Sequence, residues 1–250
     1  MLINRPFVLS LAGFDPSGGA GLLADCKTFE RLKVYGLAIP TANTLQTEQA
    51  FHWVHWQESH TIVESLKTLM HQYDVKAIKI GIVPNLLFLQ KCVETIRLLN
   101  KEVFIVWDPV MVATSGYTFI DTTTLALLQD ICQHINLITP NFKEIHRLVP
   151  GDETALEKAV ALSKHCNVLL KGGHNEEALG IDYLVQATKV TYLLPEKEIH
   201  TEKHGSGCVL ASAICSYMAQ GLSLEEACIK AKRYIELFLN SNTTLLGYHD

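Results

Sequence analysis

Along the chain, short apolar runs rich in Val, Ile and Leu alternate with longer stretches whose apolar residues recur every three or four positions. Residues 7–12, 37–45, 75–80, 103–107, 137–139 and 168–170 are of the first kind and read as strands. Residues 61–73, 86–100, 122–134 and 153–165 are of the second and read as helices, as does the stretch from a first glycine-rich loop to about residue 32. The strand runs carry almost no polar alternation, which is the mark of strands covered on both faces. The alternation predicts an α/β fold built on a doubly wound, mostly parallel sheet. Residues 181–186 and 189–194 read as a hairpin near the sheet edge, and two closing helices follow at 208–220 and 224–239. No repeat, low-complexity tract or linker interrupts the pattern, so 1–250 reads as a single domain.

Composition narrows the function. With 48% hydrophobic and 19% charged residues over 250 positions, the chain can bury one large core. A net charge of −5 without a Lys/Arg-rich run argues against a nucleic-acid partner. Seven scattered cysteines, odd in number and without a CxxC pair, suggest neither a disulfide framework nor a zinc site. The apolar run at 7–12 is short and passes at once into Gly13-Phe14-Asp15-Pro16, unlike a signal peptide or a membrane span. A cytoplasmic protein without a membrane partner, acting on small molecules, is the expectation.

In such sheets ligands bind beyond the carboxyl ends of the strands. There this sequence places Asp108-Pro109, Thr139-Pro140-Asn141 with Glu144 one turn on, and Lys171-Gly172-Gly173-His174. Each has a plain structural alternative, since Asp-Pro forms turns and Asn141 is also a good helix cap. Gly205-Ser206-Gly207-Cys208 opens directly into a helix pattern, so free N–H groups converge there without Cβ atoms in the way. That is how an anion site is built, although a glycine turn before a buried structural cysteine fits the same residues. The first loop, Gly13 to Gly21, lacks both the GxxxxGK[ST] lysine and GxGxxG spacing. Asp25 falls on the apolar stripe of the first helix and needs a donor, either internal or from a ligand. Gln46 ends the second strand and is either a ligand contact or an exposed amide.

Taken together, Asp15-Pro16-Ser17-Gly18-Gly19-Ala20-Gly21, Ala24-Asp25, Lys27-Thr28-Phe29, Thr44-Leu45-Gln46, Lys79-Ile80-Gly81 and Asp108-Pro109-Val110-Met111, followed by Thr139-Pro140-Asn141, Lys171-Gly172-Gly173-His174 and His204-Gly205-Ser206-Gly207-Cys208, carry a resemblance across nearly the whole chain. The sequence resembles the hydroxymethylpyrimidine/phosphomethylpyrimidine kinases of thiamine biosynthesis, within the ribokinase-like superfamily. The resemblance implies a ribokinase-like three-layer α/β/α fold, ATP and Mg²⁺, and phosphorylation of 4-amino-5-hydroxymethyl-2-methylpyrimidine and then of its monophosphate. It also implies a homodimer. By the same resemblance Gly13, Asp25, Thr44 and Gln46 surround the pyrimidine, Asn141 and Glu144 form the magnesium motif, and Lys171 with Asp108 serves the ATP phosphates. Gly205, Ser206, Gly207 and Cys208 then form the anion hole, with Cys208 as the base whose pKa the helix N-terminus would lower.

Several positions depart from the family pattern. Phe14, Thr47, Ile82 and Thr114, the last before Ser115-Gly116, touch expected substrate walls and loops, while Lys203 and Ser206 replace threonines beside His204-Gly205. Two other functions therefore stay open: a pyridoxal or pyridoxine kinase of the same superfamily, and a non-catalytic ligand-binding or regulatory protein on this fold.

Overall fold

The computed structural model describes residues 4–111, 119, 125–174, 179–198 and 201–250. Thr114, Ser115, Gly116 and the first turn of the helix expected at 122–134 lie outside the described residues. The elements run β1 (Phe7–Phe14), α1 (Gly21–Arg31), β2 (Tyr35–Gln46), β3 (Phe51–Trp56), α2 (Ser59–Gln72), β4 (Val75–Ile80), α3 (Leu86–Leu99), β5 (Phe104–Trp107) and α4 (Leu125–His134). They continue with β6 (Leu137–Ile138), α5 (Phe142–Leu148), α6 (Ala155–Leu162), β7 (Asn167–Leu170), β8 (Asp182–Gln186), β9 (Lys189–Leu193), α7 (Ser206–Ala219) and α8 (Leu224–Leu239).

One sheet takes the order β3-β2-β1-β4-β5-β6-β7-β8-β9. The six strands from β2 to β7 are mutually parallel, and β3, β8 and β9 pair antiparallel at the two edges. Successive residues in each inner strand serve different cores, as a period of two requires. Leu9, Ile78, Ile105, Trp107 and Val168 pack with α2 to α6, whereas Val8, Ala77, Val106 and Leu169 pack with α1, α7 and α8. This is the three-layer α/β/α arrangement, and it explains why the strand runs lack polar alternation. The expected hairpin lies at the sheet edge as β8 and β9.

Two elements escape the apolar pattern. β3 is half exposed along its length, so Phe51–Trp56 never forms a buried run. α5 has only seven residues, and its start overlaps the expected metal motif. No described helix is long and apolar enough to cross a membrane.

Beneath the carboxyl edge sits a sealed ion pair. Asp25 on α1 and Lys79 on β4 are both fully buried, with Lys79 Nζ 3.0 and 2.9 Å from the two carboxylate oxygens. Ser10 of β1 donates to Asp25 Oδ2 at 2.5 Å and Ser212 of α7 to Oδ1 at 2.6 Å. Burial, the largest single influence, lowers the Lys79 pKa, but the Asp25 charge and hydrogen bond together with Cys208 and Asp108 outweigh it and the net movement is up, so the ammonium stays charged. Asp25 is thus satisfied internally and does not border the cavity described below. Its internal partner is Lys79 of β4, which itself lines that cavity, and the pyrimidine contact expected of Asp25 rests on the resemblance alone.

Removing one member of a buried pair strands the other. Asp25→Ala is expected to lose about 3–5 kcal/mol in urea unfolding, while Asp25→Leu combined with Lys79→Met loses far less. A single-variant loss within about 0.5 kcal/mol, the size of an ordinary surface change, would show that the pair does not hold the layers.

Candidate active site

Strand register brings the polar residues to one rim. Ile80 aligns with Trp107, Trp107 with Ile138, and Ile138 with Val168, so the residues that follow these strands emerge side by side. A further parallel bridge joins Asn141 to Lys171. Lys171 Nζ lies 2.9 Å from Asp108 Oδ1 and 3.7 Å from Glu144 Oε2, and Thr139 Oγ1 donates to Asp108 Oδ1 at 3.2 Å. The second Asp108 oxygen, Oδ2, is buried without a hydrogen-bond partner among the described residues. Burial acts to lower the Lys171 pKa, yet the neighbouring carboxylates raise it overall and keep the amine protonated. Burial dominates at Glu144 and pushes its carboxyl up from the ordinary value.

The second half of the site is the start of α7. Gly205 has φ +74°, and a Cβ there would overlap the Gly19 carbonyl oxygen, so only glycine fits without strain. No side chain caps this helix, which leaves first-turn N–H groups for a ligand. A Cβ on Gly207 would stand 3.2 Å from Lys171 Nζ and 3.5 Å from Asp108 Oδ2, so the helix start abuts the rim directly. The adjoining loop is tied down by Asp15. Its carboxylate accepts from Ser17 N, Ser17 Oγ and Ala20 N, each at 2.9 Å, and meets His204 Nε2 at 2.8 Å.

Cys208 departs from expectation. Burial pushes its thiol up to about 11, with Asp108 and Asp25 adding to the rise and Lys79 and the Gly21 N–H opposing it. Loss of water outweighs Lys79 and the Gly21 N–H, so the thiol is neutral at neutral pH.

One cavity of about 700 Å³ gathers most of the expected residues: Gly13, Gln46, Asp108, Asn141, Glu144, Lys171, Gly205, Ser206, Gly207 and Cys208 all line it. Ile82, one of the departures, lines it too and lies against Gly13. Thr44 does not border the cavity. Its hydroxyl donates to the Phe14 carbonyl oxygen at 2.9 Å and accepts from Gln46 Nε2 at 2.8 Å, so it orients the Gln46 amide. Asn141 and Glu144 also form the capping box of α5. Asn141 Oδ1 accepts from Lys143 N and Glu144 N, and Glu144 Oε2 accepts from Asn141 N at 2.7 Å. Both readings of Asn141, helix cap and cavity residue, hold at once.

Lys79, Lys203, His204, Asp182, Lys232 and Glu236 also line the cavity and went unread as site residues. Lys79 had a signal, a lysine inside an apolar strand run that matches the stray carboxylate on the first helix. Lys232 and Asp182 carried none, because their 2.9 Å ion pair joins α8 to β8 across fifty positions.

Comparison with known proteins shows the family and the fold. Residues 15–249 match the model of the phosphomethylpyrimidine kinase family. A hydroxymethylpyrimidine/phosphomethylpyrimidine kinase of Rhizobium meliloti is 33% identical, covering 93% of this chain and 90% of that protein. One from Aquifex aeolicus is 32% identical, over 96% and 97%. A thiamine biosynthesis bifunctional protein of Geobacter sulfurreducens is 34% identical over 94% of this chain, which spans half of that longer protein. Among solved structures, a Bacillus subtilis pyridoxal kinase bound to ADP superposes with TM-score 0.86 at 26% identity, over 97% and 94% of the two chains. A Clostridium difficile phosphomethylpyrimidine kinase gives 0.76 at 28%, over 92% and 98%. The chain belongs to the phosphomethylpyrimidine kinase family, on the ribokinase-like fold.

Proposed function

We propose that this protein is an ATP- and Mg²⁺-dependent kinase that phosphorylates 4-amino-5-hydroxymethyl-2-methylpyrimidine and its monophosphate, supplying thiamine diphosphate formation. The reading includes a homodimer in the cytoplasm. One observation carries it: a single cavity runs along the carboxyl edge from Gly13 and Gln46 to Lys171, Asp108 and the uncapped start of α7. The Gln46 amide suits an aminopyrimidine, which offers an exocyclic donor beside ring-nitrogen acceptors. At the other end, N–H groups at Gly205 to Cys208 and the Lys171 ammonium face the phosphoryl group, whose charge spreads over its oxygens during transfer.

The oxygen donors also fit Mg²⁺. Asp108 Oδ2 lacks a protein partner, Glu144 lies within reach of Lys171, and a hydrated hard cation prefers such oxygens. Among the described residues no three His, Cys, Asp or Glu side chains cluster closely enough to hold a metal alone, so Asp108, Asn141 and Glu144 would share it with water and phosphate oxygens. When bound, the ion neutralises phosphate charge. Lys171 keeps Asp108 and Glu144 from repelling the nucleotide, and Cys208 stands where the substrate hydroxyl must lose its proton.

A second reading has its own support, since pyridoxal kinases are among the solved structures with high TM-scores. Substrate-dependent ADP release across the hydroxymethylpyrimidine, its monophosphate, pyridoxal and pyridoxine separates the two. The pyrimidines should give the higher kcat/KM; a preference for pyridoxal overturns the proposal, and release with none of the four supports the non-catalytic alternative.

Gln46→Ala is expected to raise the pyrimidine KM by a few-fold, since a neutral hydrogen bond contributes about 0.5–1.5 kcal/mol, with the ATP KM unchanged. An unchanged pyrimidine KM removes Gln46 from the pocket. For Cys208 the raised pKa sets the sign of the pH dependence. If its thiolate accepts the proton, single-turnover rate must climb with pH from neutrality toward the pKa of about 11. Cys208→Ala should lose that slope and roughly 10²–10⁴ in rate, with nucleotide and pyrimidine still bound. A wild-type slope in the alanine variant assigns the proton to another group.

A further inference from the structure

Four lysines of the cavity wall, Lys79, Lys171, Lys232 and Lys203, are shielded from water, and they divide into two kinds. Lys79, Lys171 and Lys232 each meet a carboxylate oxygen at 2.9 Å. Lys203 is buried and meets none among the described residues. Its ammonium donates to Thr201 Oγ1 at 3.0 Å, to the Asn242 carbonyl oxygen at 2.6 Å and to the Thr244 carbonyl oxygen at 2.7 Å. Three N–H bonds thus meet three neutral oxygens, and loss of water alone acts on the group, lowering its pKa.

The cage is built. Asn242 Oδ1 accepts from Thr244 N at 2.7 Å and from Thr244 Oγ1 at 2.9 Å, and Asn242 Nδ2 donates to the Leu246 carbonyl oxygen at 2.9 Å. Thr201 Oγ1 in turn donates to the Leu239 carbonyl at the end of α8, which fixes that hydroxyl to the helix. The other side of the cage is the anion site itself. His204 N donates to the Leu245 carbonyl oxygen at 2.9 Å, and the Lys203 carbonyl oxygen accepts from Ser206 N at 3.4 Å as the chain enters α7.

A cation buried without a counter-ion is costly, and neutral carbonyls offset only part of that cost. The missing negative charge can come from the cavity that Lys203 borders. We propose that Lys203 is a built-in monovalent cation: its ammonium fills an oxygen cage beside the start of α7, positions the Gly205 to Cys208 turn, and adds fixed positive potential for the nucleotide phosphates. It is a positioning residue, acting through the turn and through space. The proposal rests on the kinase reading above.

Because the acceptors are neutral oxygens, an emptied cage suits a free ammonium or potassium ion. The test compares wild type, Lys203→Ala and Lys203→Met at constant ionic strength, with choline as the only monovalent cation or with ammonium or potassium added. Wild-type kcat should not respond to the exchange. Lys203→Ala in choline should lose about tenfold or more in kcat with an unchanged pyrimidine KM, and ammonium or potassium should restore much of the loss. Lys203→Met, which fills the space without charge, should lose rate and show no rescue. A mere structural tether predicts lower thermal stability with normal kcat in the folded fraction and no cation response in any variant, and that result overturns the proposal. If wild type phosphorylates no pyrimidine, the kinase reading fails separately. Calorimetric ADP binding then decides: weaker binding to both variants, rescued by ammonium only in Lys203→Ala, supports the cage, and equal affinities overturn it.

Discussion

A pair of opposite charges sealed from water, Asp25 and Lys79, constrains everything above it. With both side chains fully buried, neither charge tolerates loss of the other, and Ser10 and Ser212 complete the set of donors. Four elements, β1, α1, β4 and α7, must therefore meet at one point. That point lies under the carboxyl edge of the sheet, where Lys79 borders the cavity and acts electrostatically on Cys208. The same contact that fixes the layers fixes where α7 begins, and so where its N–H groups aim.

Around this anchor the site is assembled by close approach of backbone. Gly205 fits against the Gly19 carbonyl only because it lacks a Cβ, and Gly207 lies beside Lys171 and Asp108. Asp15 and His204 clamp the first loop to the turn before α7. Three positive groups with different compensation then line the cavity: Lys171 held by Asp108, Lys232 held by Asp182, and Lys203 held by two carbonyls and the Thr201 hydroxyl.

Much of this was legible in the residues. Inner strands covered on both faces leave apolar runs, so the doubly wound parallel sheet followed from periodicity and the edge hairpin from its two adjacent runs, whereas the strand order did not. β3 did not, because a half-exposed edge strand has no such run, and α5 did not, because seven residues hold too little periodicity. Asp25 announced itself as a buried charge, yet its partner lies fifty-four positions away and only packing brings it close. Resemblance assigned Asp25 and Thr44 to the pyrimidine, and the fold adds internal partners that the sequence did not show, Lys79 for the first and Gln46 for the second. The helix start at Cys208 was readable, but its thiol pKa was not, since burial is a property of the folded surroundings.

The most direct measurement is a crystal structure of the protein with ADP, Mg²⁺ and hydroxymethylpyrimidine. The account predicts the terminal phosphate of ADP directed at the N–H groups of Gly207 and Cys208, the pyrimidine beside Gln46, and the substrate hydroxyl near the Cys208 sulfur. A nucleotide phosphate bound away from the start of α7, or a pyrimidine seated outside the cavity between Gly13 and Cys208, would contradict it.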